Sequence, residues 1–357
     1  MATNEQISAQ SVKRDLGGDG GHGTTGAHET RRYFGGTPGR RADGFTGGGL
    51  HGHERVRPAD DGRAPDRTHG ESRTPDESQE PSASGLTGAS PLAVKIDNVR
   101  GARPHTGTDS ADIVYTEQVE GGLSRLMAVY ATKLPKVVGP VRSARESDLE
   151  LLRQFDHPTL AFSGAQGKLM PLINKAPLDP QTPGKTSGAY FRGTEKAAPH
   201  NLYLRPNRLL PAAPGADALT TGFTYGSAPS GGRKDTSETV RYPAATYSFT
   251  WSSSRNRYLV SMDGTAAVTT GGKRLAPATV VVQYVKIRKS GFHDFLGNNT
   301  PYTETVGSGK AKVLRGGKAY DARWERDRAT DGTTFTTGDG DPVNFAKGQV
   351  WVLFVKA

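Results

Sequence analysis

The sequence predicts an α+β protein, with an N-terminal α/β domain built on a mixed sheet followed by a mainly β C-terminal domain. Three observations carry this expectation. Residues 90–228 alternate short apolar runs with helix-like stripes in the order strand, helix, strand, helix, the pattern of an α/β layer with locally parallel strands. Residues 234–357 hold short alternating runs separated by Asp263-Gly264, Gly271-Gly272, Gly316-Gly317 and Asp339-Gly340, the pattern of a β sandwich or barrel. Residues 1–88 are rich in Gly, Arg, Asp, Thr and His and poor in Leu, Ile, Val and Phe, so burial would not offset the entropy of ordering them. That segment reads as a disordered tail. Its composition between Arg31 and Arg73 resembles translated GC-rich DNA, which points to a mis-assigned start.

The elements follow in order. Residues 92–97 predict a short buried strand ending in Asp97-Asn98 turn chemistry. Residues 111–119 and 123–130 predict two strands about Glu120-Gly121-Gly122, a hairpin. Residues 136–141 predict another strand or strand end. Ser143 and Glu146 stand at capping-box spacing, so Ser143 is expected to cap a helix with the stripe Leu149, Leu152, Phe155, ended by Pro158. Residues 159–162 predict a strand. Ser163 and Gln166 repeat the cap spacing ahead of Leu169, Leu172 and Ile173, where Pro171 should shorten or kink the helix. A linker is expected over residues 227–234. Beyond it, strands are predicted over residues 246–251, 257–262, 279–287, 310–314, 319–324 and 349–355, with Trp251, Trp324 and Trp351 in the core.

Charge narrows the partners. The chain of 357 residues carries a formal +10. Up to Glu80 it has 11 Lys and Arg against 13 Asp and Glu, and from Pro81 onward 35 against 23, so the folded part carries the basic character. Such a surface suits an anionic partner. No run of Lys and Arg exceeds two and no aromatic-basic repeat occurs, so nucleic acid is not expected. The absence of cysteine excludes disulfides, thiolate catalysis, Cys-ligated zinc and a lipid-modified cysteine in this sequence. The first 18 residues lack the apolar core of a secretory signal, and no apolar run is long enough to span a bilayer. Taken literally, the chain is cytoplasmic.

Three constellations could carry chemistry. Residues 139–146, Gly-Pro-Val-Arg-Ser-Ala-Arg-Glu, place Arg142 and Arg145 at a helix start, where a cation costs about 0.3–1 kcal/mol against the macrodipole. Pairing with Glu146, Asp148 or Glu150 is the structural explanation. The functional one is an anion site, with helix N–H groups and two guanidiniums facing phosphate or carboxylate. With Ser163, these residues would share the edge of the sheet where α/β folds bind ligands. Glu117 and Glu120 are the second group. They are candidate acid/base residues, yet strand alternation turns them to opposite faces, and either could pair with Arg125 across the turn. The third group is Tyr190-Phe191-Arg192 with Pro199-His200-Asn201, in which His200 is a candidate base and Arg192 and Asn201 are candidate ligand contacts. His105 and His200 with Asp97 or Asp112 have no metal-ligand spacing, so no metal and no cofactor are expected. Pro183-Gly-Lys-Thr186 imitates the end of a phosphate loop, but Asp179 stands where that loop requires Gly. No Gly-x-Ser-x-Gly, Ser-x-x-Lys or His-Glu-x-x-His motif is present.

Taken together, Ala93-Val-Lys-Ile-Asp-Asn98, Ala102-Arg-Pro104, Ala111-Asp-Ile-Val-Tyr115, Val119-Glu-Gly-Gly122, Arg125, Gly139-Pro-Val-Arg-Ser-Ala-Arg145 and Ala198-Pro-His-Asn-Leu-Tyr203 resemble a known family. It is the YerB-like bacterial family of putative lipoproteins, a domain of unknown function. The resemblance covers residues 90–357, including the closing Gly348-Gln-Val-Trp351. It implies two adjoining domains, bacterial origin and tethering outside the cytoplasmic membrane. It implies no reaction, so no catalytic residue is carried over. Members of that family usually open with a lipoprotein signal ending in cysteine, and this sequence has neither. Either the native start lies elsewhere or this copy is not exported, and the composition before Glu80 favours the first.

The expected function is therefore an uncharacterised cell-envelope binding or interaction protein. Its partner would be an anionic envelope component or another protein, and it would be membrane-tethered only if the native start differs. Ligand contacts are expected at Arg125, Arg142, Ser143, Arg145, Ser163, Arg192 and Asn201. The alternative is a hydrolase or transferase acting on an envelope glycan or phosphoester, with Glu117 or Glu120 and His200 moving protons.

Overall fold

The computed structural model of the protein describes residues 90–294 and 296–357, so the disordered tail expected over residues 1–88 lies outside the described residues. The apolar run Leu92–Asp97 forms strand β1 and is buried along its whole length, as suits the middle of a covered sheet. Ile113–Gln118 (β2) and Ser124–Tyr130 (β3) form the expected antiparallel hairpin. Gly121 and Gly122 turn it at φ +66° and +71°. Residues 136–141 do not make a strand. They form single bridges, Val138 to Leu204, Gly139 to Thr106 and Val141 to Ile96.

Helix α1, Glu146–Leu152, leads into strand β4, Thr159–Ala161, which runs parallel to β1. Helix α2, Met170–Lys175, leads into β5, Asp179–Gln181, parallel to β4. The alternating order and local parallel pairing are as expected, but both serine caps are not. Arg145 caps α1, and the Asp148 carboxylate accepts the Arg145 N–H at 2.7 Å. Ser143 lies too early. Its loop is tied down by Arg142 N–H to Lys95 O (2.8 Å), Ser163 N–H to Arg142 O (3.0 Å) and Ala144 N–H to Gly164 O (3.0 Å), so the helix begins only beyond these bonds. Leu169, not Ser163, precedes α2, and Pro171 sits in its first turn, where its missing N–H costs nothing. Strands β6 (Tyr190–Arg192) and β7 (Leu202–Leu204) pair antiparallel beside this region.

After the short strand β8 (Arg233–Lys234), β9 (Ser237–Tyr242), β10 (Ala245–Ser252), β11 (Arg257–Met262) and β12 (Thr265–Ala266) build a four-stranded sheet. Next come β13 (Thr279–Val285), a hairpin of β14 (Ile287–His293) and β15 (Asn299–Thr303), then β16 (Gly307–Arg315), β17 (Lys318–Arg326), β18 (Thr334–Thr336) and β19 (Val350–Lys356). The main sheet has eleven strands in the order β18-β17-β16-β13-β19-β2-β3-β1-β4-β5, with β8 added against β17. The last strand, β19, lies between β13 and β2 and is parallel to both, so strands from both halves of the sequence share one sheet.

Tyr247, Phe249 and Val260 of the four-stranded sheet join Val94, Ile96, Leu126 and Trp351 in one apolar cluster, which makes this face a sandwich. On the other face, Leu151, Leu152 and Ile173 of the helices join Ala93, Ile113, Met127 and Val352. Trp324 and Trp351 are core residues, whereas Trp251 is half-buried against Tyr258. Because α1 and α2 have only seven and six residues, the molecule is mostly β with a mixed sheet, a correction to the α+β expectation. No described helix is long and apolar enough to cross a membrane.

Candidate functional site

At the end of β1 the side chains alternate, Val94 and Ile96 to the sandwich face and Lys95 and Asp97 to the helix face. Arg125 of β3 stands opposite Asp97 on one side and Glu117 on the other, so acid, base and acid form a row across three strands. Asp97 is only 2 % exposed. Its Oδ2 accepts His200 Nδ1 at 2.7 Å and lies 3.2 Å from Arg142 Nε. The second contact is ionic rather than hydrogen-bonded, because the Arg142 Nε–H points off the line and finds no aligned acceptor. The Asp97 carbonyl accepts from His105 Nε2 at 2.9 Å, and burial pushes the His105 imidazole down to about 4.

The four candidate arginines divide by what holds them. Arg145 is clamped by Glu120 through two bonds of 2.7 Å, Nε to Oε1 and Nη2 to Oε2. Burial pushes Glu120 up, but Arg145 and the Thr300 hydroxyl at 2.5 Å outweigh it and hold the carboxyl below its usual range. Arg125 donates to the Ser143 carbonyl at 2.9 Å, and burial, followed by the Arg145 charge, lowers it to about 10. Its expected pairing with Glu117 or Glu120 does not form, since Lys95 takes Glu117 and Arg145 takes Glu120. Arg192, exposed, bonds Asn201 Oδ1 at 2.7 Å. Arg142 differs from these three. Its terminal nitrogens make no hydrogen bond to any described residue, and its side chain is 26 % exposed.

Arg142 stands where two cavities meet. One, of about 970 Å³, is bordered by Asp97, Glu120, Arg125, Arg145, Glu146, Gln166 and His200, and by Phe292, His293, Asp294 and Thr300 of the β14–β15 hairpin region. The other, of about 730 Å³, is bordered by Ser163, Arg192, Tyr190 and the 183–188 turn. Arg142, Ser143 and Pro199 line both. Glu146 Oε2 and Gln166 Oε1, beside the larger cavity, are buried atoms without a hydrogen-bond partner among the described residues, as is Arg142 Nε. Ser143 and Ser163 face each other, Oγ to Oγ, at 3.3 Å.

The structure thus brings Glu120, Arg125, Arg142, Ser143, Arg145 and His200 to one cleft, with Ser163 and Arg192 in the adjoining one and Asn201 behind Arg192. Glu117 is not in this lining. It is 4 % exposed, bound by Lys95 and Ser147, and its carboxyl is pushed up by burial and then by the Asp148 charge. The expected helix contribution to an anion site is reduced, because α1 has only seven residues and the N–H of its cap, Arg145, already donates to the Asp148 carboxylate. The 183–186 turn packs on β5 through Lys185 to Asp179 (3.0 Å) and Thr186 to Gln181 (2.9 Å). The cleft residues missed were Asp97, the hub, weighed only for a metal site, and Phe292, His293, Asp294 and Thr300. A carboxylate closing a buried strand that is apolar but for Lys95 was the available signal for Asp97. Among the described residues, no group of three or more His, Asp or Glu is placed to hold a metal ion.

Two family descriptions match this chain. "Protein of unknown function (DUF3048) N-terminal domain" covers residues 78–219, and the corresponding C-terminal domain covers residues 238–352. The chain belongs to the DUF3048 family. A curated relative, "Putative lipoprotein YerB" of Bacillus subtilis (strain 168), is 24% identical over 286 residues, covering 76% of this chain and 82% of the relative. The crystal structure of the YerB protein from Bacillus subtilis has the same fold, with a TM-score of 0.61 and 22% identity over 76% of this chain and 92% of that one. The resemblance read from the motifs is borne out. The two DUF3048 segments meet around the expected linker, and the β19–β2 pairing joins them in one sheet.

Proposed function

We propose that this DUF3048 chain is a non-catalytic cell-envelope binding protein whose cleft takes a phosphate-bearing or otherwise anionic wall component at Arg142. The observation that carries this is the Arg142 guanidinium, anchored on one side by Asp97 while its terminal nitrogens open where two cavities join. Planar guanidiniums suit two-oxygen anions, and Ser143, Ser163 and Arg192 supply further donors within the same walls. The mixed lining fits a ligand that combines anionic and neutral polar groups. The basic balance of the chain after Pro81 and the lipoprotein description of the Bacillus relative support an extracytoplasmic, membrane-associated setting.

The test is a calorimetric titration with a soluble glycerol-phosphate oligomer, with phosphatidylglycerol vesicles as the membrane arm. Binding of the oligomer should weaken as salt rises. Losing charge-assisted hydrogen bonds of about 1.5–3 kcal/mol, Arg142→Gln should bind roughly 10–100-fold more weakly. Equal binding of both proteins to every probe overturns the proposal, and binding to vesicles alone moves the function to the membrane surface.

One observation favours a second possibility, a hydrolase or transferase acting on an envelope glycan or phosphoester. His200 Nδ1 is fixed on buried Asp97 and the ring lines the larger cavity, leaving Nε2 without a partner among the described residues and able to accept a proton from water. Glu120, held by Arg145, and Glu117, outside the lining, do not serve that chemistry. Release of nitrophenol from bis-nitrophenyl phosphate that is lost in His200→Gln would support it, and no His200-dependent release from phosphoester or glycoside probes would remove it.

A further inference from the structure

Beneath the cleft, between the sheet and α1, lies a cluster that neither function uses. Lys95, Glu117 and Asp148 are 0 %, 4 % and 0 % exposed. Lys95 Nζ donates to Asp148 Oδ1 at 2.6 Å and to Glu117 Oε1. Asp148 Oδ2 accepts the Arg145 backbone N–H at 2.7 Å, and Glu117 Oε2 accepts the Ser147 hydroxyl at 3.1 Å. Ala93, Met127, Ala144 and Leu151 form the apolar core on this same side of the sheet. One ammonium and two carboxylates, all out of water, are costly, since each buried ion loses several kcal/mol of hydration that pairing only partly returns.

We propose that Lys95 and Asp148 become joined by an isopeptide bond that forms autocatalytically once the chain has folded, with Glu117 transferring the protons. The step runs through the neutral form of this contact, in which the proton shared across the 2.6 Å between Nζ and Oδ1 sits on Oδ1 and Nζ is an amine. A desolvated lysine of this kind is a nucleophile. The Nζ lone pair adds to Asp148 Cγ. Oδ2 becomes the oxyanion and is met by the Arg145 N–H already aimed at it. Glu117, whose carboxyl burial pushes up, gives its proton to Oδ1 and takes one from Nζ. The Cγ–Oδ1 bond then breaks and one water leaves. The products are a secondary amide, one water and Glu117 in its starting form, with no oxidant and no co-reactant.

Three observations select this outcome. The attacking nitrogen already touches the carboxyl that would acylate it. The oxygen that would gain charge already has its backbone donor, and a second acid contacts the same nitrogen. The amide also replaces buried charges by neutral groups, which removes the desolvation cost of the unreacted cluster. It would tie β1 to α1 across a separation of 53 residues, in a chain with no cysteine to form a disulfide. The staple would hold the loop bearing Arg142 and Arg145 whatever ligand the cleft takes.

The experiment is the intact mass of the purified full-length chain, followed by tandem mass spectrometry of its denatured digest. The expected result is a mass lower by one water and a branched peptide joining Lys95 to Asp148. The branched peptide decides, because an Asp-Gly pair such as Asp263-Gly264 can also lose water. Asp148→Asn should reach the same cross-linked product by losing ammonia, and Glu117→Gln should form the bond at least tenfold more slowly or not at all. Recovery of separate linear peptides containing Lys95 and Asp148 from the wild-type chain overturns the proposal without any variant having to fold. A branch from Lys95 to Glu117 instead overturns the assigned roles.

Discussion

The Glu120–Arg145 clamp offers a sharp quantitative test of how this corner is held. Their side chains are 7 % and 12 % exposed and share two bonds of 2.7 Å. Glu120→Ala leaves a guanidinium in that setting without its counter-ion and frees Thr300 of the β14–β15 hairpin. Removing one member of a buried pair costs about 3–5 kcal/mol, and the residual exposure of Arg145 sets the expectation at the lower end, about 3 kcal/mol. With a urea slope of about 3 kcal/mol per molar for a domain of this size, the unfolding midpoint should fall by about 1 M. Glu120→Leu combined with Arg145→Met should recover most of the loss, because neither variant residue is charged. The assay is urea unfolding followed by tryptophan fluorescence for Glu120→Ala and for the four members of the cycle built on Glu120→Leu and Arg145→Met. A fall below about 0.3 M for Glu120→Ala would match an exposed ion pair and refute the reasoning.

Two further outcomes follow from local geometry. His105 is held neutral inside the protein at about 4 against an ordinary 6.5, so the unfolded chain takes up its proton first as pH falls. Stability should therefore be insensitive to this residue above pH 7 and decline from about pH 6.5 through 4, by about 3 kcal/mol in all. His105→Gln keeps a donor toward the Asp97 carbonyl but cannot titrate, and parallel pH profiles for it and the wild type would contradict this. Gly122→Ala should cost about 2 kcal/mol in thermal or urea unfolding, because φ is +71° and the new Cβ would lie 2.5 Å from Pro243 Cβ. Gly121→Ala, at φ +66° with open space around it, should cost clearly less, and equal costs would show that the Pro243 contact does not matter.

Local pattern was enough for many elements. Alternation and turn residues located Leu92–Asp97, Arg257–Met262 and the hairpin about Gly121-Gly122, because strand period and glycine turns are properties of neighbouring residues. The single sheet was not legible in the same way, since the pairing of Val350–Lys356 with Ile113–Gln118 joins the two ends of the folded chain. A trace of it was present, as the run Val350-Trp-Val-Leu-Phe354 is apolar without alternation, which belongs to a strand covered on both faces. Ser143 and Ser163 had the spacing of helix caps but not the freedom to cap, because backbone bonds to Lys95, Arg142 and Gly164 hold their loops extended. At the site, residues 139–146 pointed to the right corner. Which arginine was already neutralised depended on Glu120 and Asp97, whose approach is a product of the fold.

If Arg142 presents its terminal nitrogens to an anionic envelope ligand, a crystal structure of the full chain with a glycerol-phosphate oligomer will show it. Phosphate oxygens are expected within hydrogen-bonding distance of those nitrogens, at the junction of the two cavities, with the Glu120–Arg145 clamp intact. Phosphate bound elsewhere while Arg142 contacts only protein would contradict it.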